Sequence, residues 1–267
     1  MPAAVTPDPL DMCEAAARAG GSVLKEWIGR FGVSSKGPQD LVTEADFASQ
    51  REIRRILLDA FPDHGFIGEE TLPEADPGAG SGNGGLRWMV DPLDGTTNYV
   101  HGFPAYCVSI ALADGDDLLV AAIHDPLRDE CFTARRGGGS RLNGTLFKTP
   151  AVTDPAEAVA AVSFPAHVGP DSPAIADFIA VLTHVHSVRR TGSTALNLAY
   201  LAAGRLHAFW VRRICCWDAA AGILIAREAG GVVGSFTGGP EVIPLDDPAF
   251  IAASTPELLA ALRIILG

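Results

Sequence analysis

The sequence has few basic residues for its length. It contains 20 Lys and Arg against 32 Asp and Glu in 267 residues, which gives a formal net charge of −12. A negative surface repels nucleic-acid phosphates and anionic lipid headgroups. We therefore expect neither nucleic acid nor a membrane as a partner, and the balance favours a cation as cofactor.

Long apolar runs and spaced cysteine pairs are also missing. No stretch is long and apolar enough to span a bilayer, and the first residues lack the basic and apolar segments of a signal peptide. The five cysteines form no CxxC pair, which argues against both a disulfide framework and a zinc knuckle. These absences predict a soluble cytoplasmic protein with reduced thiols.

The apolar pattern divides the chain into two parts. Helical spacing marks residues 10–28, and a second helix is expected to begin at Thr43 and to stop before Pro62. Strands and hairpin turns dominate residues 107–144, whereas strands and helices alternate after residue 150. We predict an N-terminal α+β subdomain over residues 1–150 and a C-terminal α/β subdomain over 151–267, with no linker between them.

Two short apolar runs each end in acidic residues. Residues 66–68 precede Glu69 and Glu70, and residues 86–90 precede Asp91. Adjacent side chains on a strand point to opposite faces, so only one of Glu69 and Glu70 is expected to face a shared site.

The segment from Asp91 to Thr96, DPLDGT, has the pattern of a tight turn that starts a helix. Such a turn would place the carboxylates of Asp91 and Asp94, the Leu93 carbonyl and the N–H groups of Gly95 and Thr96 on one side. Carboxylate and carbonyl oxygens suit a hard divalent cation, and free N–H groups suit a phosphate. An acidic surface turn has the same residue pattern, so these residues alone leave both interpretations open.

Four ordered segments together resemble the inositol monophosphatase family. They are residues 40–46 (DLVTEAD), 66–70 (FIGEE), 88–103 (WMVDPLDGTTNYVHGF) and 217–222 (WDAAAG), and the likeness extends from about residue 10 to about residue 260. The resemblance implies a layered αβαβα sandwich of the inositol monophosphatase/fructose-1,6-bisphosphatase type, usually a homodimer. It also implies that the protein uses two or three Mg²⁺ ions to hydrolyse a phosphate ester.

By this resemblance, the acidic residues become metal ligands. Glu69, Asp91 and the Leu93 carbonyl would hold one Mg²⁺, and Asp91, Asp94 and Asp218 would hold a second. Crowded carboxylates repel one another unless cations neutralise them, which is consistent with this arrangement.

The resemblance also assigns catalytic and substrate-binding roles. Thr96, hydrogen-bonded to Asp46, would orient and deprotonate the attacking water. The turn Gly192-Ser193-Thr194 would contact substrate hydroxyls, although it is also a good helix N-cap.

One segment departs from the family pattern. Related inositol and sugar phosphatases usually carry a hydroxyl-binding Glu shortly before Trp-Asp, and residues 211–216 here read VRRICC. Arg212 and Arg213 would suit a second anionic group on the substrate, or would be solvated charges at a subunit surface. Lys36 is a further candidate for the phosphate, with an ordinary solvated lysine as the alternative.

The leading hypothesis is therefore an inositol-1-phosphate phosphatase-like enzyme that acts on a small phosphate ester. Fructose 1,6-bisphosphate, adenosine 3',5'-bisphosphate, NADP and histidinol phosphate are alternative substrates. A regulatory binding protein on the same fold is the alternative that is not an enzyme. The complete set of acidic residues favours the enzyme.

Overall fold

A computed structural model describes residues 7–37, 40–70, 85–165, 168–238 and 242–267. Within these ranges the chain forms seven α-helices, which are α1 Pro9–Trp27, α2 Glu44–Ala60, α3 Thr96–Val100, α4 Pro173–Leu182, α5 Thr194–Ala202, α6 Cys216–Glu228 and α7 Pro256–Leu266. Across the same ranges, none of these helices is both long and apolar enough to cross a membrane.

The strands form three sheets. They are β1 Val33–Gly37, β2 Asp40–Thr43, β3 Gly65–Gly68, β4 Leu86–Asp94, β5 Cys107–Asp114, β6 Asp117–Asp125, β7 Glu130–Arg135, β8 Gly139–Leu142, β9 Thr145–Phe147, β10 Val159–Val162, β11 Ser187–Arg189, β12 Ala208–Val211, β13 Val232–Gly234 and β14 Phe250–Ala253. Strands β1 and β2 form a separate antiparallel pair. A seven-stranded sheet runs in order from β3 to β9, and a five-stranded sheet has the order β11-β10-β12-β14-β13.

Helices and sheets alternate in five layers. Helices α1 and α2 cover one face of the seven-stranded sheet, and α5 and α6 lie between the two sheets. Helices α4 and α7 cover the outer face of the five-stranded sheet. This is the layered αβαβα sandwich that the resemblance implied.

Small residues allow the helices of two of the three helical layers to approach closely. A Cβ on Gly20 of α1 would lie 2.7 Å from Ile53 of α2, and a Cβ on Gly222 of α6 would lie 2.4 Å from Leu198 of α5. A larger side chain at either glycine would push the paired helices apart. The run Ala219-Ala220-Ala221-Gly222 therefore serves the packing of α6 against α5.

The two helices predicted from the sequence are confirmed, and the start of α6 places one acidic residue. The helices predicted at residues 10–28 and from Thr43 onward are α1 and α2, with Thr43 as the N-cap of α2. Helix α6 begins at Cys216, two residues before Asp218. Asp218 consequently lies in the first turn, where its negative charge meets the positive end of the helix dipole.

The two large sheets use different parts of the chain but share one core. The seven-stranded sheet ends at Phe147, and the five-stranded sheet begins at Val159. One buried cluster includes Met89 from the first sheet, Phe209 from the second and Leu198 from the helical layer between them. We therefore propose that the chain forms two closely packed subdomains that meet near residue 150.

Candidate active site

Three carboxylates from distant parts of the chain meet at one end of the seven-stranded sheet. Glu69 follows β3, Asp91 lies in β4, and Asp218 lies in the first turn of α6. One oxygen from each lies within 4.8 Å of the other two. The parallel pairing of β3 and β4 places Glu69 beside Asp91, because Gly68 pairs with Val90.

An irregularity in β4 shapes the segment between Asp91 and Asp94. The pairing of β4 with β5 shifts between these residues, as in a β-bulge. The Leu93 N–H donates to Asp91 Oδ1 at 2.9 Å, and Ser49 of α2 donates its hydroxyl proton to the Pro92 carbonyl at 3.0 Å. The local turn and the helix behind it therefore fix the direction of both aspartates.

Gly95 permits the sharp change from strand to helix. Its φ of +100° lies in the left-handed region, and a Cβ there would lie 2.8 Å from the Ala105 carbonyl oxygen. A glycine is required on both counts. The first turn of α3 then leaves the N–H groups of Thr96 and Thr97 without acceptors inside the helix.

Asp46 and Thr96 form a hydrogen-bonded pair beside the carboxylates. Thr96 Oγ1 lies 3.2 Å from Asp46 Oδ1 and 3.1 Å from the Leu93 carbonyl oxygen. Asp46 Oδ2 accepts from the N–H and the hydroxyl of Thr43 at 2.8 and 2.6 Å. Burial raises the pKa of Asp46 to about 6, against the opposing effect of the Thr43 hydrogen bonds.

Asp94 connects the strand to the start of α5. Its carboxylate accepts from the Ser193 hydroxyl at 2.7 Å, the Ala195 N–H at 2.6 Å and the Thr194 N–H at 3.3 Å. Burial raises its pKa to about 6, although these donors act in the opposite direction. In the described residues, Asp94 lies outside the group of three close oxygens, and it holds the turn at residues 192–194 against the site.

The crowded carboxylates favour a bound proton or cation. Burial first, and then the charges of Glu69, Asp218 and Asp94, raise the pKa of Asp91 well above its usual value. Burial and the Asp94 charge raise the pKa of Asp218 to about 8. Since the donors are all hard oxygens, the group fits Mg²⁺ better than a softer metal such as Zn²⁺.

These residues line one pocket of about 450 Å³. Its lining combines the acidic group with residues from the second sheet and the helical layer: Leu41, Glu69, Asp91, Leu93, Asp94, Gly95, Thr96, Thr97, Asn98, Val162, Ser163, Phe164, Pro165, Arg190, Thr191, Gly192, Thr194, Ile214 and Asp218. This size suits a small metabolite.

Several residues selected from the sequence lie elsewhere. Glu70 is buried, its backbone is paired with the Gln50 side chain, and it does not line the pocket. Ser193 is fully buried and directs its hydroxyl at Asp94. The Lys36 side chain lies outside the described part of the structure.

Arg212 is not placed to bind a substrate anion. Its guanidinium binds both oxygens of Asp177 at 2.6 and 2.8 Å, donates to the Leu266 carbonyl and lies 3.9 Å from the centre of the Phe236 ring. It is absent from the pocket lining. Arg212 therefore does not form the second anion site that was suggested from the sequence. Its side chain instead links the end of β12 to α4 and to the end of α7.

Comparisons with known proteins identify the family. The sequence profile described as "Inositol monophosphatase family" matches residues 8–265. The chain belongs to the inositol monophosphatase family. An inositol-1-monophosphatase of Rhizobium meliloti (strain 1021) is 38% identical over 259 residues, which cover 96% of this chain and 94% of that protein. The protein named Nus factor SuhB of Xylella fastidiosa (strain Temecula1) is 40% identical over 227 residues, covering 84% and 80%.

Solved structures of the family show the same fold. The extragenic suppressor protein suhB from Bartonella henselae superposes with a TM-score of 0.87 at 35% identity, covering 96% of this chain and 97% of that one. The inositol monophosphatase from Anabaena sp. PCC 7120 has a TM-score of 0.79 at 31% identity, covering 96% and 94%. Family membership supports a phosphatase, a phosphoric monoester hydrolase.

Three residues that line the pocket of this inositol monophosphatase family member were not predicted from the sequence: Asn98, Phe164 and Arg190. Asn98 donates from one amide nitrogen to the carbonyls of Ala105 and Thr191 at 2.6 and 2.8 Å, which links α3 to the turn before α5. Phe164, which follows β10, and Arg190, which follows β11, also line the pocket. Asn98 ends the segment DGTTN, so its place in that motif could have indicated a role in the site. No local sequence pattern indicates that Phe164 or Arg190 lies there.

Proposed function

We propose that this protein is a Mg²⁺-dependent phosphomonoesterase that hydrolyses a small phosphate ester of the inositol 1-phosphate type. The observation that carries the proposal is that Glu69, Asp91 and Asp218 share one pocket with Thr96, whose hydroxyl is hydrogen-bonded to the buried Asp46 behind it. Such a pocket contains both a cation site and a route for a proton.

Glu69, Asp91 and the Leu93 carbonyl would hold one Mg²⁺, and Asp91, Asp94 and Asp218 would hold a second. All of these residues line the pocket, and oxygens of Glu69, Asp91 and Asp218 lie within 4.8 Å of one another. When bound, Mg²⁺ supplies positive charge that offsets the phosphate charge and makes a nearby water more acidic.

Thr96 and Asp46 would move the proton of the attacking water. Thr96 Oγ1 is within hydrogen-bond distance of both Asp46 Oδ1 and the Leu93 carbonyl, and donation of its proton to Asp46 would leave an oxygen lone pair free to accept a proton from water. As Thr96 gains that proton, it passes its own to Asp46. Burial raises the pKa of Asp46 to about 6, and this makes it a better base at neutral pH than an exposed aspartate.

The first turn of α3 would bind the phosphate. The N–H groups of Thr96 and Thr97 point out of the helix start, and both residues line the pocket. Gly192 and Thr194 line the opposite side, where Thr194 shares a hydrogen bond of 2.8 Å with Ser163. Substrate hydroxyls would meet this second group.

Phosphate release from inositol 1-phosphate tests the proposal. We expect turnover with Mg²⁺, none with EDTA, and a loss of orders of magnitude in Asp91→Asn, because this residue lies at the centre of the acidic group. Asp171→Asn makes the same change on an exposed carboxylate and should leave turnover unchanged. Normal turnover by Asp91→Asn, or by the wild type in EDTA, would contradict the assignment.

A regulatory role is the second candidate, and it rests on relatives that carry the name Nus factor SuhB. Recovery of the same bound protein from a lysate by both the wild type and Asp91→Asn would support a role separate from catalysis. Homodimer formation and a cytoplasmic location stay predictions, and sedimentation of the purified chain would test the former.

A further inference from the structure

Arg190 is the basic residue among the described residues that line the pocket. It follows β11 directly, lies two residues before Gly192 and is exposed. The same lining carries four carboxylates, those of Glu69, Asp91, Asp94 and Asp218. The pocket therefore has a strongly acidic part, where the phosphate and its cations belong, and a single fixed positive charge.

An aromatic ring holds the Arg190 guanidinium in place. The guanidinium carbon lies 5.3 Å from the centre of the Phe164 ring, within the range of a cation–π contact. Phe164 also lines the pocket, and its ring packs against Phe178 of α4 at 6.0 Å. Stacking restrains the side chain but leaves its N–H donors free for a ligand.

No carboxylate neutralises this charge within the described residues, where the ion pairs involve other arginines. Arg212 is the contrasting case, because its donors are used by Asp177 and by the Leu266 carbonyl. With Mg²⁺ bound, the four carboxylates would be largely neutralised, so a second anion on a substrate would be attracted most by the remaining cation of the lining, Arg190.

We propose that Arg190 is a specificity residue that selects phosphate esters whose alcohol part carries a second anionic group, either phosphate or carboxylate. The inference rests on the proposed phosphomonoesterase function. A guanidinium binds both groups through paired N–H donors, whereas a neutral polyol offers it no charge.

Two matched pairs of substrates test the proposal. Fructose 1,6-bisphosphate and fructose 1-phosphate differ by one phosphate, and 2-phosphoglycerate and glycerol 2-phosphate differ by one carboxylate. KM and kcat for phosphate release with Mg²⁺ would be measured for the wild type, Arg190→Ala, Arg190→Lys and the control Arg189→Ala. Arg189 is the adjacent exposed arginine, it lies outside the pocket lining, and it donates to the Ser187 hydroxyl.

The wild type should have the lower KM for the doubly charged member of at least one pair, and that pair identifies the group. Arg190→Ala should raise this KM about tenfold, the effect of losing one exposed charged hydrogen bond, and should leave the singly charged partner nearly unchanged. Arg190→Lys should restore part of the preference, and Arg189→Ala should keep all of it.

Turnover without any preference for the second anion would overturn the role of Arg190, as would equal effects of Arg190→Ala on both members of each pair. Absence of phosphate release from all four substrates and from inositol 1-phosphate would instead overturn the proposed function, and this inference with it.

Discussion

Removal of one carboxylate from the acidic group should stabilise the protein when no divalent cation is present. The change is Asp218→Asn, which keeps the shape of the side chain and removes its charge. The pKa of Asp218 is raised from 3.8 to about 8, because the residue is poorly solvated and lies near Asp94 and Glu69. A carboxylate with a raised pKa opposes folding above its unfolded-state pKa, and the cost grows as the pH rises toward the folded-state value.

The size of the effect follows from this shift. A pKa difference of about 4 units between the folded and unfolded states corresponds to a loss of folding free energy on the order of 5 kcal/mol at pH 8. Since Asn also loses the acceptor that Asp218 offers to neighbouring donors, we expect a net gain of about 3 kcal/mol, or roughly 6–12 °C in Tm.

Thermal unfolding at pH 8, followed by circular dichroism, tests the prediction. Measurements in EDTA test the gain in stability, and measurements in excess Mg²⁺ test whether the response to the cation is reduced. In EDTA, Asp218→Asn should unfold at a higher temperature than the wild type, and Asp171→Asn should match the wild type. Excess Mg²⁺ should raise the Tm of the wild type more at pH 8 than at pH 6, because the cation competes with protons. It should raise the Tm of Asp218→Asn much less. A lower Tm for Asp218→Asn in EDTA, with an undiminished Mg²⁺ response, would refute the reasoning.

Three further outcomes are expected. Arg212→Ala should destabilise the fold by about 2–4 kcal/mol, because it leaves the buried Asp177 carboxylate unpaired, while KM for inositol 1-phosphate stays unchanged. The double change with Asp177→Ala should recover part of this loss in urea unfolding. Gly192→Ala should lower the folding stability by about 1–2 kcal/mol, because φ is +86° and the new Cβ would lie 2.9 Å from Asn98 Nδ2. The same change should lower kcat/KM, because Gly192 lines the pocket. Thr96→Val should lower kcat by about 10²–10³-fold, because only the hydroxyl relays the proton. Thr96→Ser should keep most of the activity, and equal rates for the two variants would contradict the relay.

The packing of α5 against α6 explains why the site depends on both parts of the chain. Two contacts help to hold Asp218 near Asp91: Gly222 lets α6 lie close to Leu198 of α5, and Ser109 of β5 donates to the Trp217 carbonyl at 3.0 Å. A substitution that separates these helices should therefore reduce Mg²⁺ affinity without touching a ligand.

The sequence by itself indicated the family through four ordered motifs, and the resemblance implied the layered fold and the acidic group. The turn at Asp91 to Thr96 and the capping segment at Thr43 to Asp46 follow from local patterns, since both are set by neighbours a few residues apart. The alternation of strands and helices likewise follows from hydrophobic spacing.

Only the tertiary structure decided which candidate residues share the pocket. Glu69 rather than Glu70 joins Asp91, Ser193 binds Asp94, and Arg212 is committed to an ion pair while Arg190 lines the pocket. The residues of these contacts come from different elements, and several pairs are separated by tens of residues in the chain. Their side-chain directions depend on how the layers pack, and no local pattern in the sequence encodes that packing.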